Sequence, residues 1–485
     1  NKVYFNEKIR CCIVGFGPTG GTLANLLALQ GFSILIIEKE KSFYPLPRAV
    51  HFDDEIMRVF QTIGITDKFL KHTIINKGTK FVNSKNQVVL DWPRPRSITE
   101  NGWYPSYRFH QPDLERKLRR RLKDFKKVSV MQSTKVNSLK EEKSSVKIFI
   151  ENINNNKISE IRAKYIIGCD GARSTIRKQI KAKFQNLGFT QKWAVVDLIL
   201  KKNKKELPDR TIQYSNSKRP ATYCRNVGKR RRWEFAINNA ESEKKVLSNS
   251  YIWNFLKPWL KPSEALMERK TIYTFQSAIS KKWKKGRVFL AGDAAHLMPP
   301  FMGQGMCAGV RDASNLAWKI AYCLKNNHSE KLLNTYQSER YSNVIEYIKT
   351  TVKMGEFVNA VGTSNITGEV SSTPNGQKSM KSIKPKLGKG LGKINDKNRG
   401  KIFPQFKLKN GKSLDNKFFD KPLLIISSKY KKKLPKKINY INSNTAKGLN
   451  EYMLNLKIDA FVVRPDRFIL NSINLNKFDN LKKII

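Results

Sequence analysis

Two glycine-rich turns in this chain carry the residue types needed to hold a large, phosphate-bearing cofactor. The first is Gly15-Phe-Gly17-Pro-Thr-Gly20. It follows an apolar run at 10–14 and leads into an apolar helical stretch at 22–29 that Gly31 stops. In a turn of this pattern the first glycine permits the sharp reversal. The second lets the backbone approach a pyrophosphate, and the third lets helix and strand pack closely. The helix start then presents free N–H groups and the positive end of its dipole to the phosphates. A second buried run, 33–37, ends on Glu38, near the expected spacing of about 20 residues, where a carboxylate accepts from a ribose hydroxyl. An acid at that position repels a 2′-phosphate, which excludes a tightly held NADP. The motif alone does not separate NAD from FAD.

The second constellation runs from Val288 to Met306. A buried strand ends at Gly292-Asp293, and a loop containing Pro299 and Pro300 follows. Gly303-Gln304-Gly305-Met306 then opens a helix whose apolar residues Met306, Val310, Ala313, Ala317, Ile320 and Leu324 keep helical spacing. A helix start stabilises a nearby negative charge. A reduced flavin is anionic at its N1–C2=O edge, so this start suits one. Asp293, at a strand end with no neighbouring base, is placed to bind a ribityl or ribose hydroxyl.

The elements that must position these turns define the organisation. Strand, turn, helix and strand in the first forty residues start a parallel sheet. Residues 186–275 read as a sheet-rich domain, with alternating aromatic-rich strands at 193–200 and 232–237. Strand–turn–helix logic returns at 288–324. The division expected is 1–185 for the first part of a cofactor-binding domain, with 81–104 contributing to the sheet-rich substrate domain at 186–275. The second part of the cofactor-binding domain follows at 276–360, then a linker at 361–400 and a small C-terminal domain at 401–485. The linker assignment rests on a Gly/Ser/Thr/Asn/Pro/Lys-rich composition with little periodicity. Buried strands are expected at 418–426 and 460–463.

Lys and Arg number 93 against 39 acids, a net charge of +54. The lysines are spread along the whole chain without any nucleic-acid motif, so a solvated basic surface is expected rather than a specific nucleic-acid site. The six cysteines form no C-x-x-C pair, and no His/Cys/carboxylate cluster has metal-ligand spacing. No metal is expected. No apolar run is long enough to span a bilayer, and no signal peptide is seen, so a cytoplasmic location is expected.

Several separated blocks together resemble the class A flavoprotein aromatic hydroxylases, and most closely the 3-(3-hydroxyphenyl)propionate/3-hydroxycinnamate hydroxylase group. They are Gly15–Gly21, Pro47-Arg48-Ala49-Val50 with Asp53-Asp54-Glu55, Phe109-His110-Gln111-Pro112, and Gly168-Cys169-Asp170-Gly171-Ala172-Arg173-Ser174. Arg230-Arg231-Arg232-Trp233-Glu234-Phe235 and Ala291–Gly305 with Arg311-Asp312-Ala313 complete the set. The resemblance implies an α/β fold: a Rossmann-like βαβ FAD-binding domain, an inserted sheet-rich substrate domain, and a thioredoxin-like C-terminal domain. The last has no cysteine after Cys323, which excludes disulfide chemistry there.

By the same resemblance, Gly15, Gly17, Gly20 and Glu38 hold the ADP half of FAD. Arg48 and Gln111 contact its phosphates and ribityl chain. Asp170 and Gly171 line the channel shared with the nicotinamide, and Asp293 binds the ribityl region. Pro300 sits beside the reactive flavin carbon, the backbone N–H groups around Gly305 and Met306 face flavin N1 and O2, and Gly303 and Gln304 also belong to the cofactor-binding set. Arg232 approaches the flavin from the substrate sheet. Two positions depart from the group: Cys307 stands where asparagine is common, and His51 where glycine is frequent.

The implied reaction is hydroxylation of a small phenol by O2 through a flavin C4a-hydroperoxide, with NAD(P)H as transient reductant. A proton acceptor for the phenol is required; Tyr214 is the first candidate, with His51 and His296 after it. His296 reads as structural. The alternatives are a reductase or halogenase of the same fold, and an inactive FAD-fold protein that binds nucleic acid or anionic membrane through its basic surface. A homodimer is left open.

Overall fold

The computed structural model describes residues 8–216, 219–326, 330–360, 370–372, 378–380, 382–418, 420–430, 434 and 438–474. At its centre is a sheet whose parallel core runs Val288–Leu290, Ile158–Gly168, Ile9–Val14, Ile34–Ile37, Val128–Met131. Thr134–Glu141 and Val146–Asn152 extend it as an antiparallel meander into Ile158–Gly168. The central strands are apolar on both faces, as burial by helices on either side requires. The helix Pro18–Leu29 lies against the long helix Gly305–Asn326, and this contact brings the two glycine-rich turns to one end of the sheet. The first helix begins four residues before the expected 22, because Pro18 fits the first helical position, where no N–H is needed.

A second, ten-stranded sheet carries the strands Phe184–Leu200, Arg230–Ala236, Ala221–Arg225 and Thr211–Tyr214 side by side. The hairpin Gly78–Val82/Val88–Pro93 continues it through a parallel pairing with Thr211–Tyr214. The stretch expected to be a linker adds two short edge strands here, Val370–Ser372 and Lys378–Met380. Strands of three residues leave no periodicity to read, so composition alone does not reveal them.

Alternation divides the two faces of this sheet. One face buries Ala194, Val196, Leu198, Tyr223, Trp233 and Phe235 under the helix Asn249–Leu256. The other presents Asp197, Gln213, Thr222, Arg232 and Glu234 towards the first domain.

The C-terminal unit has the strand order Tyr440–Asn442, Leu423–Ile426, Ala460–Val463, Ile469–Ile473. The first pair is parallel and the others antiparallel, which is the thioredoxin-like arrangement. The strand expected at 418–426 is the shorter Leu423–Ile426, and a 3-10 turn at Leu414–Lys417 precedes it. Buried ion pairs dock this unit: Arg58 to Asp415 at 2.6 Å and Arg464 to Glu339 at 3.0 Å.

Candidate active site

At the first turn, the backbone does what the glycines suggest. Gly15 has φ +104°, and a Cβ on Gly20 would lie 2.1 Å from the Gly15 carbonyl oxygen. Only glycine permits that approach. A Cβ on Gly17 would meet nothing within 4 Å, so the turn is open on the side where a pyrophosphate would lie. No side chain caps the helix at Gly17, which leaves its first N–H groups for a ligand. Glu38 accepts from the Phe16 N–H at 2.8 Å and from the Glu40 N–H at 2.9 Å. Its carboxylate thus braces the turn and keeps lone pairs for a further donor.

The second turn is equally open. Among the described residues no protein carbonyl outside the helix accepts from the Gly305 or Met306 N–H groups, and a Cβ on Gly305 would meet nothing within 4 Å. Gly303 is left-handed at φ +63°, packed against the His51 ring. The Gln304 side chain is turned inward: it donates to Asp53 at 3.1 Å and accepts from Arg311 at 2.9 Å. Arg311 also binds Asp53 and reaches Glu55 at 2.8 Å. Burial raises the Asp53 carboxyl, but Arg311 and His51 outweigh it and hold it below its ordinary value.

Asp293 is exposed, and among the described residues its carboxylate has no hydrogen-bond partner. The loop that carries it is fixed from behind. Asp312 accepts from the Gly292 N–H at 2.9 Å, from Arg340 Nε at 2.8 Å, and pairs with His296 Nε2 at 2.6 Å. His296 thus has the structural position expected of it. Pro300 is exposed in the 3-10 turn Pro300–Met302.

Other expected site residues are engaged with the protein itself. Gln111 accepts from the Ala49 N–H and donates to Glu115, both at 2.8 Å, so it positions the segment bearing Arg48. Arg48 is exposed and lies over the Tyr44 ring. Asp170 caps the short helix Thr175–Gln179 through the Thr175 N–H at 2.7 Å and Ser174 at 2.5 Å. Gly171, at φ +77°, is open to solvent. Arg232 is locked to Asp197 at 2.7 Å and donates to the Arg48 carbonyl at 2.6 Å, tying the second sheet to the first domain.

The two candidate proton acceptors separate. Tyr214 is on the face covered by the helix Asn249–Leu256, where its hydroxyl accepts from Trp259 Nε1 at 3.1 Å. It shares no face with Gln213 or Arg232, whose side of the sheet is turned towards the first domain. His51 is buried at the Gly303 turn. Its Nδ1 bonds the Gly303 carbonyl at 3.0 Å, and that bond requires Nδ1 to carry the proton. Nε2 is buried with no partner. Burial, then Arg108 and Arg94, push the ring down to about 3, so it is neutral at physiological pH. Cys307 is fully buried beside it, its thiol near the Gly303 and His51 carbonyls.

Sequence reasoning missed three members of the site: Arg108, the Asp53–Arg311–Gln304 network, and the anchoring of the Asp293 loop by Asp312. Asp53 and Asp312 carried a signal in the blocks Asp53-Asp54-Glu55 and Arg311-Asp312-Ala313. Arg108 carried none.

The two open backbone cradles and the free Asp293 carboxylate fit FAD. The family model described as "FAD binding domain" matches residues 8–350. A probable NADH-specific resorcinol 4-hydroxylase of Rhodococcus jostii is 34% identical over 82% of this chain and 75% of its own length. A 3-(3-hydroxy-phenyl)propionate/3-hydroxycinnamic acid hydroxylase of Mycolicibacterium smegmatis is 32% identical over 71% of the chain. The chain spans only 60% of that protein's length. Among solved structures, aklavinone-11 hydroxylase with FAD and aklavinone is similar in fold, with a TM-score of 0.77 at 17% identity, covering 97% of this chain and 96% of that one. The chain belongs to the FAD-binding domain family. Within it, the chain falls among the flavoprotein aromatic hydroxylases, and its cofactor is FAD. Among the described residues no helix is long and apolar enough to cross a membrane.

Proposed function

We propose that this chain hydroxylates a small phenol ortho or para to its hydroxyl, consuming one NADH, one proton and one O2 and releasing NAD+ and water. The observation that carries the reading is the open helix start at Gly305 with the unpartnered His51 Nε2 beside it. Bound FAD supplies hydride acceptance from NADH and activation of O2. The protein supplies position. The Gly15–Gly20 turn and Glu38 hold the adenylate half, and Arg48 and Asp293 take the phosphates and ribityl hydroxyls. The N–H groups at Gly305 and Met306 stabilise negative charge at the flavin edge. Pro300 and Gly303 form the wall beside the ring.

His51 Nε2 accepts a hydrogen bond from the phenol hydroxyl, which orients the ring and makes it more electron-rich at the carbon attacked. The polar face of the second sheet covers the ring and excludes water. The relatives act by name on resorcinol and on 3-(3-hydroxyphenyl)propionate, and the substrate proposed here is of that size, a phenylpropanoid-like phenol.

The test is a panel of resorcinol, 3-(3-hydroxyphenyl)propionate and 3-hydroxycinnamate given to the FAD-loaded protein. At least one is expected to stimulate NADH oxidation and to yield a catechol-type or hydroquinone-type product. Equal NADH oxidation with and without every phenol, and no product, would overturn the reading.

A further inference from the structure

The face of the ten-stranded sheet that turns away from the first domain is not filled evenly. Ile212, Tyr223 and Trp233 lie directly opposite one another across three strands, and all three are large. The next row along the same strands is Tyr214, Ala221 and Phe235, so an alanine stands between two aromatic rings. Directly opposed side chains are about 5 Å apart, and a lone methyl group between two rings leaves a notch.

Phe255 and Trp259, from the covering helix Asn249–Leu256 and the turn after it, roof this notch without filling it. The Phe255 ring lies 4.1 Å from that of Phe235, and the Trp259 ring lies 5.4 Å from Tyr214 and 5.7 Å from Phe255. A cavity of about 180 Å³ remains, with Ala221 as its floor and Tyr214, Phe255 and Trp259 as its walls. These three wall residues are only partly buried, whereas Trp233 and Phe235 behind them are fully buried. An apolar cavity of about 150 Å³ takes one benzene molecule, so the space is that of a single ring.

The rim decides the charge of the occupant. Arg219 is the one ionised side chain lining the cavity. Its guanidinium is held by Glu241 at 2.7 Å and by the Ala236 carbonyl at 3.1 Å. An anion therefore finds no free counter-charge, and a cation meets a guanidinium. The Tyr214 hydroxyl is engaged by Trp259 Nε1, which leaves the ring faces to do the holding. On the opposite rim, in the turn of the hairpin Gly78–Val82/Val88–Pro93, the Ser84 hydroxyl and the Asn86 side-chain amide have no hydrogen-bond partner among the described residues.

We infer that this cavity is a second, noncatalytic binding site, which takes an uncharged single-ring aromatic molecule. The ring packs among Tyr214, Phe255 and Trp259, and a hydroxyl on it bonds Ser84 or Asn86. Gln213 and Arg232 are on the other face of the same sheet, so a ring held here is beyond the reach of the cofactor and leaves unchanged. The inference stands on the cavity and is independent of the hydroxylase reading.

The test uses the FAD-loaded protein and phenyl azide, an uncharged single ring that attaches to neighbouring residues under light, followed by peptide mapping. Label is expected at 83–86, 214–221 or 255–259. An excess of phenol should remove it, while benzoate and benzylammonium, the same ring with a negative or a positive charge, should not. Ala221→Leu fills the floor, and overpacking of this kind is expected to cut the label about tenfold. The site is overturned if wild type carries no label in these segments, or if benzoate or benzylammonium protects them as well as phenol does. It is equally overturned if Ala221→Leu, folded by circular dichroism and with full FAD content, is labelled as wild type is. Should that variant not fold, the pattern of protection in the wild type decides.

Discussion

Asp312→Asn tests whether the loop bearing Asp293 is held from behind by charge. Asp312 and Arg340 are both within 1% of full burial, and Asp312 also receives the Gly292 N–H and pairs with His296. Asparagine keeps the shape and one acceptor oxygen but leaves the Arg340 guanidinium as a buried charge with only Asn343 and the Ala308 carbonyl as partners. Removing one member of a buried pair costs about 3–5 kcal/mol, most of it from the uncompensated charge. The variant is therefore expected to lose about that much in urea unfolding and to release FAD more readily, since Gly292 loses its charged acceptor.

Arg340→Met added to Asp312→Asn removes the stranded charge and is expected to recover at least half of the loss. The pH dependence follows from the sign of the shift. Burial raises the Asp312 carboxyl, but His296 and Arg340 outweigh it and hold it below 3.8. Its stabilising contribution is thus complete above the unfolded value of about 3.9 and lost as pH falls through the lower folded value. The wild type should show an acid-side loss of stability that the variant lacks. A cost under about 1 kcal/mol, with FAD retained, would mean that this network does not hold the loop.

Three further outcomes are expected. Gly17→Val places a side chain in the open space of the first turn, and a folded protein with little bound FAD is expected by absorbance; full flavin content would disprove the assignment of that turn. Gly305→Asp sets a carboxylate at the helix start. A charge about 6 Å from the reduced flavin at an effective dielectric of ~20 costs about 3 kcal/mol, or roughly 60 mV for two electrons, so a redox titration should show the potential falling by tens of millivolts. Tyr214→Phe removes one half-buried hydrogen bond to Trp259, about 1 kcal/mol, and should leave turnover with any phenol unchanged; a large fall in kcat would return Tyr214 to the cofactor side.

The parts of this molecule that were legible in its sequence are those whose physics is local. A glycine turn between a strand and a helix needs only its own residues, and both turns lie where Gly15–Gly20 and Gly303–Met306 indicated. Tyr214 shows the limit. Alternation says that Tyr214 and Ile212 share a face, but not which face the cofactor meets. That is decided by the helix Asn249–Leu256, some forty residues away in sequence. Arg108 shows another. In a chain with 93 basic residues nothing marks one as lacking a carboxylate partner until the strands of His51 and Thr211 are brought to it. The edge strands in the stretch expected to be a linker were hidden for a simpler reason. Lys378–Met380 pairs with Val88–Pro93, far back in the chain, and composition holds no record of it.

The central claim is that the open cradles hold FAD for the insertion of oxygen into a phenol. Its most direct test is turnover of the FAD-loaded protein with NADH and the best phenol of the panel under isotopically labelled O2, followed by mass spectrometry of the product. One labelled oxygen atom in each newly hydroxylated ring is predicted. NADH consumption that yields only labelled hydrogen peroxide with every phenol, or a product whose new oxygen comes from water, would contradict it.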